Sequence, residues 1–362
     1  MKKLVLGAIM LSFGVAAKSP MTIDPVDGKP DASRFLLERA TGFMPIPMLI
    51  TDPAIGYGAG LGAIFFHETE EQKKIRRENP EKVTTIAPSI SGVIGAGTNN
   101  GTGFGGAFHQ GVWLDDRVRF EGGLFKANIN VNFHGFDTPT RMNLKGNYAF
   151  SNIDFRLFDS NFFVGAGYHY FLGDVTFAGD AATRMTNKGA RANVRLTYDS
   201  LNNQFAPTDG MKAKIIYSDY NKRWGGDFNH QRLNVDVRSY HEINTKWSLA
   251  WRVNTINTAG DVPFYARPFV QMRGIAALRN QGDNVALGEV QVGYNINTRY
   301  QIIGFTGSGT AYDHGARKLD WNNTIGMGFR YTIARQLGIK AGVDVSRSET
   351  DTAIQIKFGT AF

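Results

Sequence analysis

The chain has 362 residues, 42 of them glycine and none cysteine; 12 % are aromatic, 20 % are charged, and the formal net charge is +8. The absence of cysteine excludes a disulfide scaffold, a thiolate metal site and a cysteine nucleophile, and 42 % hydrophobic residues is too apolar for a disordered chain. Past the N-terminus no stretch approaches the ~18 apolar residues of a membrane helix, which leaves a soluble all-β or α/β protein, or a β-barrel whose apolar residues alternate.

At the N-terminus, Lys2 and Lys3 precede an apolar run from Leu4 to Ala16, and Val15-Ala16-Ala17 offers the small residues that a signal peptidase reads. Residues 1–17 are therefore expected to be a signal peptide, cleaved after Ala17. Export without thiols suits a bacterial periplasm or outer membrane, where free cysteine would be oxidised. Residues 18–46 are expected to form a short periplasmic segment and residues 47–362 the barrel, with a short first strand near Phe43–Ile50. The mixed-charge run Glu68 to Lys82 reads as a solvated loop or short helix.

Strand candidates follow one another to the end of the chain. They are 54–67, 83–97, 102–114, 118–134, 141–158, 161–175, 188–199, 209–220, 232–238, 246–257, 286–299, 302–312, 321–333, 337–346 and 352–362. In the seventh, Ala190, Ala192, Val194, Leu196 and Tyr198 alternate with Arg191, Asn193, Arg195, Thr197 and Asp199. Period two marks a strand, whereas a helix would scatter those arginines around its surface. No segment outside the signal peptide reads as a helix.

Many of these strands reach ten residues or more, against the roughly five or six of globular proteins, and a tilted strand needs about 9–11 to cross a bilayer. Short turns at 114–117 and 158–161 contrast with long connections at 173–188 and 259–285, as in outer-membrane barrels. Trp113, Tyr198, Tyr220, Trp247, Tyr300, Tyr312, Trp321 and Tyr331 fall near strand ends, where an interfacial girdle would place them. A secreted β-sandwich is the competing architecture, but its strands would be shorter. The expected fold is thus all-β: a transmembrane antiparallel β-barrel of about 16 strands in the bacterial outer membrane.

Some motifs carry no chemistry. Gly58-Ala59-Gly60-Leu61-Gly62-Ala63 matches a loose dinucleotide fingerprint, but no helix follows it. The seven histidines show no two-ligand spacing, so neither a metal nor another cofactor is expected. No acid–base dyad or nucleophile constellation appears, so an enzyme is not expected either.

Three sets of residues resemble a known family. Tyr198-Asp199-Ser200-Leu201-Asn202-Asn203 followed by Pro207-Thr208-Asp209-Gly210 is similar to the strand–turn–strand pattern of the bacterial surface antigen barrels, the superfamily of BamA, TamA and the two-partner secretion transporters. Met272-Arg273-Gly274-Ile275 resembles the tip of that family's sixth extracellular loop. Gly326 to Tyr331 and Val343-Asp344-Val345 resemble its last strands. The resemblance spans roughly residues 47–362.

It implies a long sixth extracellular loop folded into the lumen, with Arg273 as the lock residue, Gly274 as the tight bend and Asp344 as an acceptor. The family's acidic position falls at Gly307, which leaves more of the lock to Asp344, with Glu289 the poorer candidate. Residues 18 to about 47 are too few for one of the family's periplasmic POTRA domains, so a member without them is expected. The terminal strand, through Phe358 to Phe362, resembles the C-terminal assembly signal of outer-membrane proteins.

Lys188, Arg191, Arg195, Lys212, Lys214, Arg232, Arg238 and Arg252 fall mostly on the polar phase of the central strands, and are expected to face the lumen with Asp199 and Asp236. They would favour anions or form a salt-bridged interior. Nucleic acid is not an expected partner, because the charges face inward. By resemblance the function is insertion or translocation of a protein or lipid at the outer membrane; a passive channel for small anionic solutes and a structural surface protein are the alternatives. Expected partners are outer-membrane lipid and lipopolysaccharide, a periplasmic recruiting protein, and the barrel assembly machinery for the chain's own insertion.

Overall fold

Alternation along sixteen successive segments builds one sheet. The computed structural model describes residues 22–38, 44–52, 54–67, 89–134, 139–177, 184–204 and 207–358, with isolated positions between 69 and 78. The expected signal peptide and Phe362 lie outside the described residues. The strands are β1 (Met44–Asp52), β2 (Gly56–His67), β3 (Ser89–Thr98), β4 (Gly103–Trp113), β5 (Val118–Phe133), β6 (Thr140–Arg156), β7 (Phe162–Phe177) and β8 (Arg184–Asp199). They continue as β9 (Gly210–Tyr220), β10 (His230–Glu242), β11 (Trp247–Gly260), β12 (Asn284–Asn295), β13 (Tyr300–Tyr312), β14 (Trp321–Ala334), β15 (Ile339–Ser348) and β16 (Thr352–Phe358). Each pairs antiparallel with the next, in chain order from β1 to β16.

The two phases of each strand meet different surroundings. On β8, Val194 is 59 % exposed, whereas Arg195, two strands from Asp154, is 7 % exposed. The outward row continues across the sheet through Val164, Ile215, Leu233 and Val253, all exposed. An exposed apolar band around a nearly closed sheet is a lipid-facing surface; a hydrocarbon solvent imposes no penalty on it and forbids only unpaired backbone. Trp113, Trp247 and Trp321 are exposed at strand ends on this surface. Tyr220 departs from the expected girdle: it stacks on His230 at 4.1 Å and lines the lumen.

The barrel has a near end, where β1 starts, and a far end. The near-end turns at 114–117 and 157–161 are short, and the 261–283 connection at the far end is long. β1 and β16 run side by side, but among the described residues no ladder joins them. The barrel is therefore nearly closed, with one seam.

Residues 22–38 lie across the near end. They include a helical turn, α1 (Ser33–Glu38), that the sequence pattern did not show, because six residues are too few to reveal a 3.6 period. It is fixed by packing of Ala32 and Phe35 against Ala334, the last residue of β14.

The lipid phase of β8 is testable. Val194→Arg is expected to cost about 2–4 kcal/mol of folding free energy near the bilayer midplane, read by denaturant titration in lipid vesicles; the same change at exposed Lys188 should be nearly neutral.

Candidate functional site

The long far-end connection turns inward. Val270, Met272 and Ile275 pack against Val285 and Leu287 of β12 and Ile256 of β11. Phe264, Phe269 and Leu278 pack against Val131, Phe133, Met142 and Val175 on the other side of the lumen. Apolar burial alone would fix depth but not register; Arg273 supplies the register.

Arg273 is 5 % exposed. Its Nε donates to Glu289 Oε1 at 3.3 Å and its Nη1 to Gln291 Oε1 at 2.8 Å. Nη1 also lies 3.7 Å from Asp344 Oδ2, and the guanidinium sits 3.6 Å above the Phe305 ring. A planar cation with several fixed donors and an aromatic face beneath it uses what arginine has and lysine lacks. Gly274 follows with φ +85°, and a Cβ there would approach Ser346 Oγ to 3.1 Å. Glycine relieves the left-handed strain and gives the tip clearance.

The carboxylates are distributed differently from the expected ranking. Asp344, fully buried, is held in a fork by Arg330 at 2.5 and 2.9 Å, so its charge is shared. Glu289 is the carboxylate nearest to Arg273. It faces Gly307 directly across the β12–β13 ladder, and a Cβ on Gly307 would meet Glu289 Cγ at 2.8 Å and Met272 Sδ at 2.6 Å. The acid absent at 307 is thus supplied by the opposite position on the neighbouring strand, and the glycine makes room for it.

The 198–210 segment closes the near end of β8 and β9. Asp199 is buried, accepts from Arg119 at 2.5 Å and Lys212 at 2.9 Å, and caps the Leu201 amide. Asn202 Oδ1 receives the amides of Thr208 and Asp209. Gly210 has φ +104° and abuts the Ser200 carbonyl, a place that only glycine fits. Arg119 and Arg156 also clamp Asp116 and stack on Phe163 at 4.0 and 4.4 Å. This fixes the 114–117 turn, whose residues Leu114, Asp115 and Asp116 all have positive φ. Strain of that kind persists only where neighbours over-determine it.

Of the eight basic residues, Arg195 pairs with Asp154 and Glu121, Lys212 with Asp199, and Arg238 and Arg252 with Asp236. Lys214 is beside Glu121 in the same lumenal cluster. Arg191 and Arg232 face the lumen farther up. Lys188 stands opposite Leu172, on the outward phase three residues from Arg191, and is exposed while also bordering the far-end cavity. An odd spacing in a strand changes face, so Lys188 does not share the phase of Arg191. Phe358 ends β16, paired with Ala341.

A second clamp, absent from the sequence reading, holds the near end. Arg299, in the β12–β13 turn, donates to Asp27 at 2.5 Å, Asp31 at 2.5 Å and Asp24 at 2.6 Å. Arg335, after β14, adds a bond to Asp24 at 2.5 Å. Tyr331 OH donates to the Pro30 carbonyl and the Ala32 amide to that of Ile333. Burial alone would raise the Asp24 carboxyl, but the hydrogen bond from Arg335, the Val26 amide and both guanidinium charges outweigh it and hold it below 3.8. The Arg299 hydrogen bond lowers Asp27 likewise. Arg299 is raised: burial opposes its charge, and three carboxylates more than offset that.

A family model for the Omp85 superfamily domain matches residues 89–270. The chain belongs to the Omp85 superfamily. Among solved structures, this Omp85 barrel is similar to BamA from Haemophilus ducreyi lacking POTRA domains 1–3, with a TM-score of 0.58 at 12 % identity over 87 % of this chain and 68 % of that one. It is also similar to CdiB from Acinetobacter baumannii (0.57, 10 %, 87 % and 59 %) and to CdiB from Escherichia coli (0.59, 6 %, 87 % and 61 %). The chain therefore spans about three fifths of either CdiB chain. No curated protein sequence matches it. As an Omp85 barrel it is a protein of the bacterial outer membrane.

Two predictions follow from the clamps. Arg273→Ala is expected to raise single-channel conductance in planar bilayers above that of the wild type, and Arg273→Lys to raise it partly; a stably wide-open wild type would refute a filled lumen. The lowered Asp24 and Asp27 values mean that folding favours the ionised carboxylates, so their contribution is complete above the unfolded value of 3.8 and lost as pH falls through the lower folded values. Hydrogen-exchange protection of residues 24–31, corrected for intrinsic rate, should hold from about pH 8 to 5 and be lost only as pH falls below the unfolded value of 3.8.

Proposed function

We propose that this Omp85 barrel assists insertion or translocation of a protein or lipid at the outer membrane, working at the β1–β16 seam. The observation that carries this reading is the seam itself: fifteen neighbouring pairs are laddered, and among the described residues the sixteenth is not. Unpaired backbone edges in a bilayer are costly, and an incoming strand or a bent lipid surface relieves that cost. β1 and β16 present such edges beside outward-facing Leu49 and Ile354.

In this reading the near end is periplasmic, residues 18–46 form the periplasmic segment, and the 261–283 connection is the sixth extracellular loop. Arg273, Gly274, Glu289 and Asp344 hold that loop within the lumen while the seam opens. Phe358 and Phe362 serve as the chain's own assembly signal for the barrel assembly machinery. A periplasmic recruiting protein and lipopolysaccharide remain the expected partners, and the role calls for no catalysis.

A passive channel for small anionic solutes has less support. Four of the lumenal cations are paired with carboxylates, and loop residues on both sides occupy the lumen.

The chain has no cysteine, so an introduced thiol is a unique probe. Leu49→Cys and Ile354→Cys, carrying a photoreactive label in growing cells, are expected to capture nascent outer-membrane chains or lipid at several times the yield of Val194→Cys on β8, half the barrel away. Equal yields at the three positions would remove the seam from the mechanism.

A further inference from the structure

A cavity of about 450 Å³ lies in the lumen at the far end, apart from the Arg273 clamp. Its wall comes from β5 to β8, the far ends of β9 and β10 and Phe228 between them, and its cover from Pro263, Tyr265 and Ala266. Ile129, Leu144, Phe171 and Phe228 make one side apolar; Arg191, Arg232 and His230 make the other polar. The size is that of small-molecule sites, which pair apolar walls with a few convergent polar groups.

Its two cations differ from the others in the lumen. Arg191 bonds only neutral groups: Nη1 to Ser218 Oγ and Tyr220 OH at 3.2 Å each, and Nη2 to His169 Nδ1 at 3.1 Å. Arg232 donates Nη2 to the Ala266 carbonyl, and its buried Nε has no partner. Among the described residues neither guanidinium has a carboxylate within 4.0 Å, whereas Arg195, Lys212, Arg238 and Arg252 each do. Both flank one ring, at 5.5 and 5.6 Å from the Tyr220 centroid. His230 stacks on that ring, is 2 % exposed, and neither of its nitrogens makes a hydrogen bond.

A confined space with two uncompensated cations, a buried imidazole without partners and apolar walls is incomplete as a purely structural interior. Half-buried cations and buried polar nitrogens without counter-groups are costly. We infer that this cavity is a binding site for an organic anion, a carboxylate or phosphate ester carrying an aromatic ring or short apolar chain. The anionic group bridges Arg191 and Arg232, where fork geometry suits it, and the body lies against Phe171, Ile129 and Leu144. The cavity's cover belongs to the 261–283 connection, and Arg232 already bonds it through Ala266, so the ligand also orders the first part of that loop. The site stands apart from the seam and does not depend on the insertion role.

The test uses the full chain in neutral detergent, with phenyl phosphate and benzoate as probes, followed by equilibrium dialysis and by hydrogen exchange over residues 263–268. At least one probe is expected to bind saturably and to slow exchange in that segment. Benzyl alcohol and inorganic phosphate, each lacking half of the chemistry, should bind at least about tenfold more weakly. Arg191→Gln and Arg232→Gln should each weaken binding by about tenfold or more, while Lys246→Gln, exposed in the near-end β10–β11 turn, should leave it unchanged. The exchange measurement needs only the wild type, so it stands if a variant fails to fold. Absence of saturable binding at millimolar probe, equal binding of inorganic phosphate or benzyl alcohol, or unaltered binding by both folded arginine variants would overturn the site.

Discussion

In a hydrocarbon solvent the backbone has no alternative partner, and the whole molecule follows from that constraint. Each strand must be laddered on both sides, so the sheet must curl until its first strand reaches its last. Side chains then divide by phase, apolar outward and polar inward. The glycines find their use here, because a wall whose inner face carries long charged side chains and an inserted loop needs positions of no bulk. Gly307 and Gly274 are two such places, one accommodating Glu289 and Met272, the other passing beside Ser346.

Among the described residues the constraint is met everywhere except at the seam, and two ion clusters stand at or near the elements flanking it. Arg273 ties the loop between β11 and β12 to a wall that includes Asp344 of β15, next to β16. Arg299 and Arg335 tie the segment leading into β1 to the turns after β12 and β14. Buried ion pairs give little net stability against apolar packing, but removing one partner is costly. Their effect is therefore to specify which elements meet. Here they hold β1 near the final strands at the near end, leaving the middle of the seam to contact alone.

Much of the architecture was legible because period two is a local signal. The expected strand at 118–134 appears as Val118–Phe133, and that at 321–333 as Trp321–Ala334. The short first strand, inferred from the even-number rule, appears as Met44–Asp52. Pairing partners were less legible. Glu289 ranked below Asp344 because nothing in one dimension reveals that it faces Gly307, or that Arg330 already holds Asp344. Asp24, Asp27 and Asp31 carry no local signal, since the arginines that give them meaning lie far along the chain. Lys188 was a simpler failure, of parity rather than of distance.

That separation has a kinetic consequence. Asp24 and Arg299 are 275 residues apart, and Asp31 and Arg299 are 268. Asp24 and Arg335 are farther apart still, at 311. The first folded residues cannot reach their partners until twelve strands have formed between them, and closing so long a loop is entropically expensive and slow. Docking of the N-terminal segment is thus a report of completion: its acids find their arginines only in a barrel that has already been built.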